Sequence, residues 1–259
     1  MGIAVADGLV TDLDTPLGRV LDIPGTPAED HTLRHLLTMT RGSETEGEWD
    51  VAKVFSRPHG WVRHLASAPQ VTKPGTRFRY DNAAAHLLGA ALTRFVGMPV
   101  AEYAAARLFT PLGIEVWGWS TDPEGIAVGW AHLRLPAHGR GALGRLWLGG
   151  GRWHGESLVD PGYAAEMVLP QNPGGPPEGC RYGYLLWIDE HGPFAGGWAG
   201  RHITLVPDAQ AVVVTTGDPR FDPGPPPRDD LPDDWRPARD LIIAELVPAL
   251  AMSAQGRLR

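Results

Sequence analysis

The sequence predicts an α+β protein, with helices grouped beside an antiparallel sheet. Three observations predict it. Between residues 31 and 109, apolar residues recur at helical spacing between helix stop signals. From Tyr182 the period changes, and residues 182–189, 202–207 and 211–216 form short apolar runs separated by turn residues. These runs are consecutive, so they read as strands of a meander rather than as parts of crossover units.

Taken in order, residues 1–9 read as the back half of a helix closed by Gly8, with a turn over 12–17. Residues 31–41 form a helix in which Thr32 is the cap, Leu33, Leu36 and Leu37 share a face, and Gly42 ends the run. Residues 44–58 are polar and irregular and read as a surface loop. Residues 61–68 form a short helix stopped by Pro69. The turn at Pro74-Gly75 leads through an extended stretch to a helix over 83–95, with Asn82 as its N-cap and Gly97 after its end. A phenol, Tyr80, and a carboxamide, Asn82, thereby meet at a strand-to-helix junction. A second helix covers 99–109, closed by Pro111 and Gly113. Residues 115–135 read as loop and short strand, 140–148 and 163–168 as helices, 219–237 as an acidic, Pro-rich solvated loop, and 238–251 as a closing amphipathic helix. The whole reads as one domain over 1–259, mainly helix and loop to 181 and mainly strand and terminal helix from 182.

Composition narrows the function. Apolar residues make up 43% and charged residues 20% of the 259, ordinary values for a chain that buries a core. A net charge of −7 argues against a nucleic-acid surface. Cys180 is the sole cysteine, so there is no disulfide framework and no cysteine metal site. No window approaches the ~18 apolar residues of a membrane span. Residues 1–10 lack the basic region of a signal peptide, and a cytoplasmic location is the expectation. His31 and His35 have the spacing of a zinc pair, but Thr32 occupies the place of the glutamate in His-Glu-x-x-His, and a helix-surface role is preferred. There is no glycine-rich phosphate loop followed by lysine and no Gly-x-Ser-x-Gly elbow, so no cofactor is expected. Among the ten tryptophans, Trp117, Trp119, Trp153 and Trp198 are the candidates for a cleft wall.

Several stretches carry a resemblance. Thr32 to Gly42 resembles "T-x-x-H-L-L-T-M-T-S-G", and Pro74 to Asn82 resembles "P-G-x-x-F-x-Y-S-N". Leu108 to Gly113 fits "L-F-x-P-L-G", Asp122 and Gly125 fit "W-x-x-D-x-x-G", Gly150 to Gly155 fits "G-G-x-W-x-G", and Tyr182 to Trp187 fits "Y-G-Y-x-W-W". Gly197-Trp198-Ala199-Gly200-Arg201 resembles the glycine-rich "G-x-G-G-Q" that replaces Lys-Thr-Gly in part of the same family. In this order they resemble the serine β-lactamase-like hydrolases, and are most similar to the 6-aminohexanoate-dimer hydrolases and related esterases. The resemblance implies a β-lactamase/transpeptidase-like fold and hydrolysis of a small ester or amide through an acyl-serine. It implies that Tyr80 shares the base role, that Asn82 bonds the substrate amide, and that Trp198, beside Gly197, offers a backbone N–H to an oxyanion. Arg201 is either a partner for a substrate carboxylate or a solvated edge charge.

One part of the pattern is missing. The nucleophile of the family is Ser-x-x-Lys, and none of Ser43, Ser56, Ser67, Ser120, Ser157 and Ser253 has lysine three residues on. Gly2-Ile3-Ala4 through Gly8, then Asp14 to Pro16, resembles the stretch that follows the nucleophile helix. The expectation is a chain that begins past its nucleophile and first strands and is inactive alone. The alternative is a non-catalytic binding module that keeps the cleft.

Overall fold

The structure, a computed structural model, describes residues 1–217 and 236–256. Helix α1 (Gly2–Ala6) is followed by two single 3-10 turns, Leu17–Arg19 and Pro27–Asp30, and by α2 (Leu33–Leu37). The cap of α2 is reciprocal: Thr32 Oγ1 accepts from the His35 N–H at 3.3 Å and His35 Nδ1 accepts from the Thr32 N–H at 3.1 Å. An imidazole thus serves where a capping box ordinarily has Glu or Gln. His31 lies ahead of this helix, buried, with Nε2 2.7 Å from Gln70 Oε1. The two histidines therefore do not share a helix surface, and each ring is engaged in packing the fold.

Residues 44–58 hold more structure than a loop. A 3-10 turn, Gly47–Trp49, precedes α3 (Val51–Val54), because Asp50 accepts from the Ala52 N–H at 2.9 Å and starts a helix. Helix α4 (Trp61–Ala66) leads to α5 (Asn82–Val96). The cap of α5 is Asp81, whose Oδ1 accepts from the Ala84 N–H at 3.2 Å, so Asn82 is the first helical residue rather than the cap. Gly97, at φ 69°, closes α5 in the left-handed region that glycine adopts without strain. Helix α6 (Val100–Ala104) widens into a π turn over Ala105–Phe109. Strands β1 (Gly118–Trp119) and β2 (Leu133–Arg134) pair antiparallel, and α7 (Ala137–Leu148) begins three residues earlier than its apolar pattern implied. A small hairpin, β3 (Arg152–Trp153) with β4 (Glu156–Ser157), precedes α8 (Pro161–Met167).

The sheet is a six-stranded antiparallel meander: β5 (Asn172–Gly175), β6 (Cys180–Tyr182), β7 (Trp187–Ile188), β8 (Pro193–Gly197), β9 (Arg201–Val206) and β10 (Ala211–Thr216), in that spatial order. The run 182–189 is not one strand. Leu185 takes φ 56°, the chain turns there, and the Leu185 N–H donates to Leu37 O at 3.0 Å. Helix α7 covers one face of β9 and β10. A Cβ on Gly144 would lie 2.4 Å from a methyl of Val212 and 2.9 Å from one of Ile203, so only glycine permits this approach. On the other face lies α9 (Ala238–Leu241), whose Arg239 donates to Thr204 Oγ1 at 3.2 Å, and a π turn Ile242–Leu246 and α10 (Val247–Gly256) follow it. Of the expected loop 219–237, only Arg236 and Pro237 fall within the described residues.

The core joins the helices to the sheet. Leu33, Leu36, Leu37, Leu87 and Phe109 are buried, and belong to one apolar cluster with Tyr182, Trp187 and Phe194 of the sheet. Each such side chain stabilises the fold by about 2 kcal/mol relative to exposure. Among the described residues no single helix is long and apolar enough to cross a membrane.

Candidate functional site

The segment carrying Tyr80 and Asn82 is anchored between them. Asp81 is buried and forms an ion pair with the equally buried Arg41, whose Nη1 also donates to Leu65 O at 3.1 Å. Arg41 and Asp81 both stand where the family patterns have serine. The two departures are each other's partners.

Asp81 itself is extended (φ −145°, ψ 98°), and the ring of Tyr80 before it stacks on Trp187, centroids 5.5 Å apart at 24°. Trp187 in turn meets Tyr182 edge-on at 4.7 Å. Burial raises the Tyr80 phenol above its ordinary range, and the carboxylate of Glu178 raises it further. The phenol is therefore protonated at neutral pH, a hydrogen-bond donor rather than a base.

The β8–β9 connection forms the opposite wall. Gly197 ends β8, and Trp198–Gly200 makes one 3-10 turn in which Ala199 (φ 63°) and Gly200 (φ 78°) are left-handed. Trp198 is more than half exposed. Tyr80, Asn82, Gly197 and Trp198 line a single cleft of about 1410 Å³. Arg201 does not line it. Its Nη1 donates to Trp198 O at 2.9 Å, and its charge adds to burial in lowering Arg140 on the α7 side of the sheet. Trp198 is a cleft residue, whereas Trp117, Trp119 and Trp153 are not.

Among the lining residues that sequence reasoning missed are Trp130, Glu178, Trp187 and His202. Trp187 lay within a quoted motif. His202 is the one ionisable residue in an apolar strand run, and that was its signal. It is buried, its Nδ1 has no hydrogen-bond partner among the described residues, and burial lowers its pKa, so the ring is neutral at pH 7. Trp130 is held from behind. The wholly buried His86 on α5 lies with Nε2 3.1 Å from Asp122 Oδ2, and its Nδ1 accepts from the Gly129 N–H at 3.4 Å. Asp122 Oδ1 also accepts from the Glu124 and Ile126 N–H groups, so one carboxylate folds the 122–126 turn and ties it to α5. Glu178 sits in a Pro-Pro-Glu-Gly turn, where no periodicity marks it.

Chemically, the cleft offers a neutral phenol, a carboxamide, the backbone of a glycine-flanked turn and aromatic walls. Neither lysine of the chain lines it. The fold that carries them is of the β-lactamase/transpeptidase class. The Beta-lactamase family profile matches residues 2–231, and the chain belongs to that family. No curated protein matches the chain at the sequence level. Among solved structures it is similar to one described as a 6-aminohexanoate-dimer hydrolase from Bacillus anthracis, with TM-score 0.71 and 20% identity, covering 86% of this chain and 66% of that one. It is also similar to EstCE1, described as a hydrolase with promiscuous acyltransferase activity, with TM-score 0.67 and 18% identity over 82% of this chain and 75% of that one. A β-lactamase from Mycobacterium bovis aligns over 99% of this chain and 81% of its own length, with TM-score 0.61 and 19% identity. The chain thus spans just under two thirds of the Bacillus anthracis protein.

Proposed function

We propose that the chain carries the substrate cleft of a β-lactamase-related serine hydrolase, cleaving an ester or amide through an acyl-serine. We further propose that residues 1–259 alone do not turn substrate over. The observation that supports this reading is the shared cleft, in which Tyr80, Asn82, Gly197 and Trp198, distant in sequence, line one cavity. A serine hydroxyl is a weak nucleophile and needs a base beside it. A phenol raised by burial serves as that base only with an ammonium nearby to favour its ionised form. The Ser-x-x-Lys element, absent from this sequence, supplies both the nucleophile and that charge in the resemblance. Asn82 orients the acyl amide. The Trp198 N–H supplies one donor of an oxyanion hole, in which a single donor is worth ~3 kcal/mol of barrier. The absence of the nucleophile favours one alternative, a binding module that keeps the cleft without the chemistry.

One experiment separates the two. The 259-residue chain is expected to leave a short-chain p-nitrophenyl ester untouched. A form extended by the in-frame upstream coding sequence, with a Ser-x-x-Lys element, is expected to hydrolyse it, and serine-to-alanine at that element returns the rate to background. An upstream sequence without that element, or an extended form without turnover, refutes the acyl-serine reading.

In the active form, Tyr80→Phe is expected to lower kcat about 100-fold, the scale of a lost acid–base group. Its melting temperature should change little. If rate and stability fall together, Tyr80 is a packing residue of the Trp187 stack and nothing more.

A further inference from the structure

The turn that carries Trp198 is held in part by β10. Gly197 and Arg201 pair across the β8–β9 hairpin, so Trp198, Ala199 and Gly200 are its loop residues. Ala199 is left-handed at φ 63°, a conformation that is costly for an L residue and persists only where its surroundings fix the backbone. From within the hairpin, Arg201 Nη1 holds Trp198 O. From beyond β10, Gly217 approaches so closely that a Cβ there would sit 2.9 Å from Ala199 O. From β10 itself comes Thr215, which stands opposite His202 in the β9–β10 register. Its hydroxyl accepts from the His202 N–H at 3.0 Å and donates to Gly200 O.

Thr215 lines the cleft, yet its hydroxyl serves the turn. A hydroxyl has one proton, and here Gly200 O receives it. The backbone of Thr215 is tied in its turn, because Arg140 on α7 donates to Thr215 O at 3.4 Å. With Gly197 paired behind it, Trp198 O held by Arg201 and Gly200 O held by Thr215, the peptide planes of the turn do not rotate independently. The direction of the Trp198 N–H is then set before any ligand arrives. A donor aimed in advance needs no reorganisation when charge develops on the atom it meets.

We propose that Thr215 is a positioning residue, whose hydroxyl acts through Gly200 O to keep the Trp198 N–H aimed at an acyl carbonyl in the cleft. This rests on the acyl-binding reading above, but its test needs no turnover. The probe is hexanamide, a neutral acyl compound, titrated by calorimetry into the 259-residue chain. Thr215→Val keeps the side-chain shape, removes the hydroxyl and should weaken hexanamide about fivefold, the scale of one neutral hydrogen bond. Thr215→Ser restores the hydroxyl and should stay within about twofold of the unmodified chain. Thr93→Val is the control: its hydroxyl donates to Gly89 O at 2.9 Å within α5, away from the cleft lining, and its loss should leave the affinity unchanged. In the extended form, Thr215→Val should lower kcat/KM about tenfold, more than it weakens hexanamide, because an oxyanion depends on the donor more than a neutral carbonyl does. No binding of hexanamide, an affinity that survives Thr215→Val, or equal losses in Thr215→Val, Thr215→Ser and Thr93→Val overturns the proposal. Should Thr215→Val fail to fold, Gly217→Ala presses on Ala199 O from the same end of β10. It is expected to weaken hexanamide to the same extent, and unchanged affinity there overturns the proposal. A Thr215-dependent affinity without ester turnover in the extended form leaves this inference standing and removes the acyl-serine reading. Turnover that Thr215→Val does not slow does the reverse.

Discussion

Arg41→Ser and Asp81→Ser are each expected to lower the free energy of unfolding by about 3–5 kcal/mol, the usual cost of leaving one member of a buried ion pair without its partner. The double variant should lose far less than the sum. Both side chains are almost wholly buried, so either charge left alone faces a medium that solvates it poorly. With both gone no charge is stranded. The serine introduced by Asp81→Ser can still cap α5, since serine caps a helix about as well as aspartate. What remains is the volume lost with the guanidinium, a cavity cost of the kind seen for large-to-small substitutions. The two positions should therefore couple by about 2–3 kcal/mol. Urea midpoints for the four proteins, at unchanged m-value, measure it. Strictly additive losses would show that Arg41 and Asp81 stabilise the fold independently, and that their joint departure from the family pattern has no energetic link.

The same pair explains where the sequence was readable and where it was not. Asp81 and Asn82 are both good caps, and local reasoning has no means to choose between them. The choice is made by Arg41, forty residues upstream, through a contact that no spacing announces. The meander was legible because β9 and β10 are runs of β-branched and apolar residues. β8, Pro-Phe-Ala-Gly-Gly, has neither alternation nor branched side chains, and it is a strand because β7 and β9 pair with it on both sides. The run 182–189 looked continuous, although Leu185 interrupts it with a left-handed turn against α2. At the site, Tyr80, Asn82, Gly197 and Trp198 could be named because they lie in motifs with an order along the chain. Arg201 shares a motif with Trp198, but strand alternation puts its side chain on the face opposite His202. Glu178 and Trp130 sit on irregular turns, and only tertiary packing brings them to the cleft.

Gly129→Ala tests that packing. A Cβ at residue 129 would sit 2.2 Å from Ala85 O and 2.7 Å from His86 Cα, both backbone atoms of α5 that no rotamer change can move. The loop must lift away from the helix. Lifting it lengthens the Gly129 N–H bond to His86 and strains the His86–Asp122 contact, so a wholly buried imidazole loses its partners. We expect a loss of about 3 kcal/mol, at the upper end for overpacking because the clash is with backbone. Trp130, the next residue, should move with the loop, so ligand affinity at the cleft should fall together with stability. Gly118→Ala is the control. No atom lies within 4 Å of its added methyl, and its effect should stay within about 0.5 kcal/mol. Thermal melts of the two variants, with probe titrations beside them, separate the cases. If Gly129→Ala melts like Gly118→Ala, the loop is not pinned to α5. The placement of Trp130 in the cleft would then owe nothing to the His86–Asp122 tie.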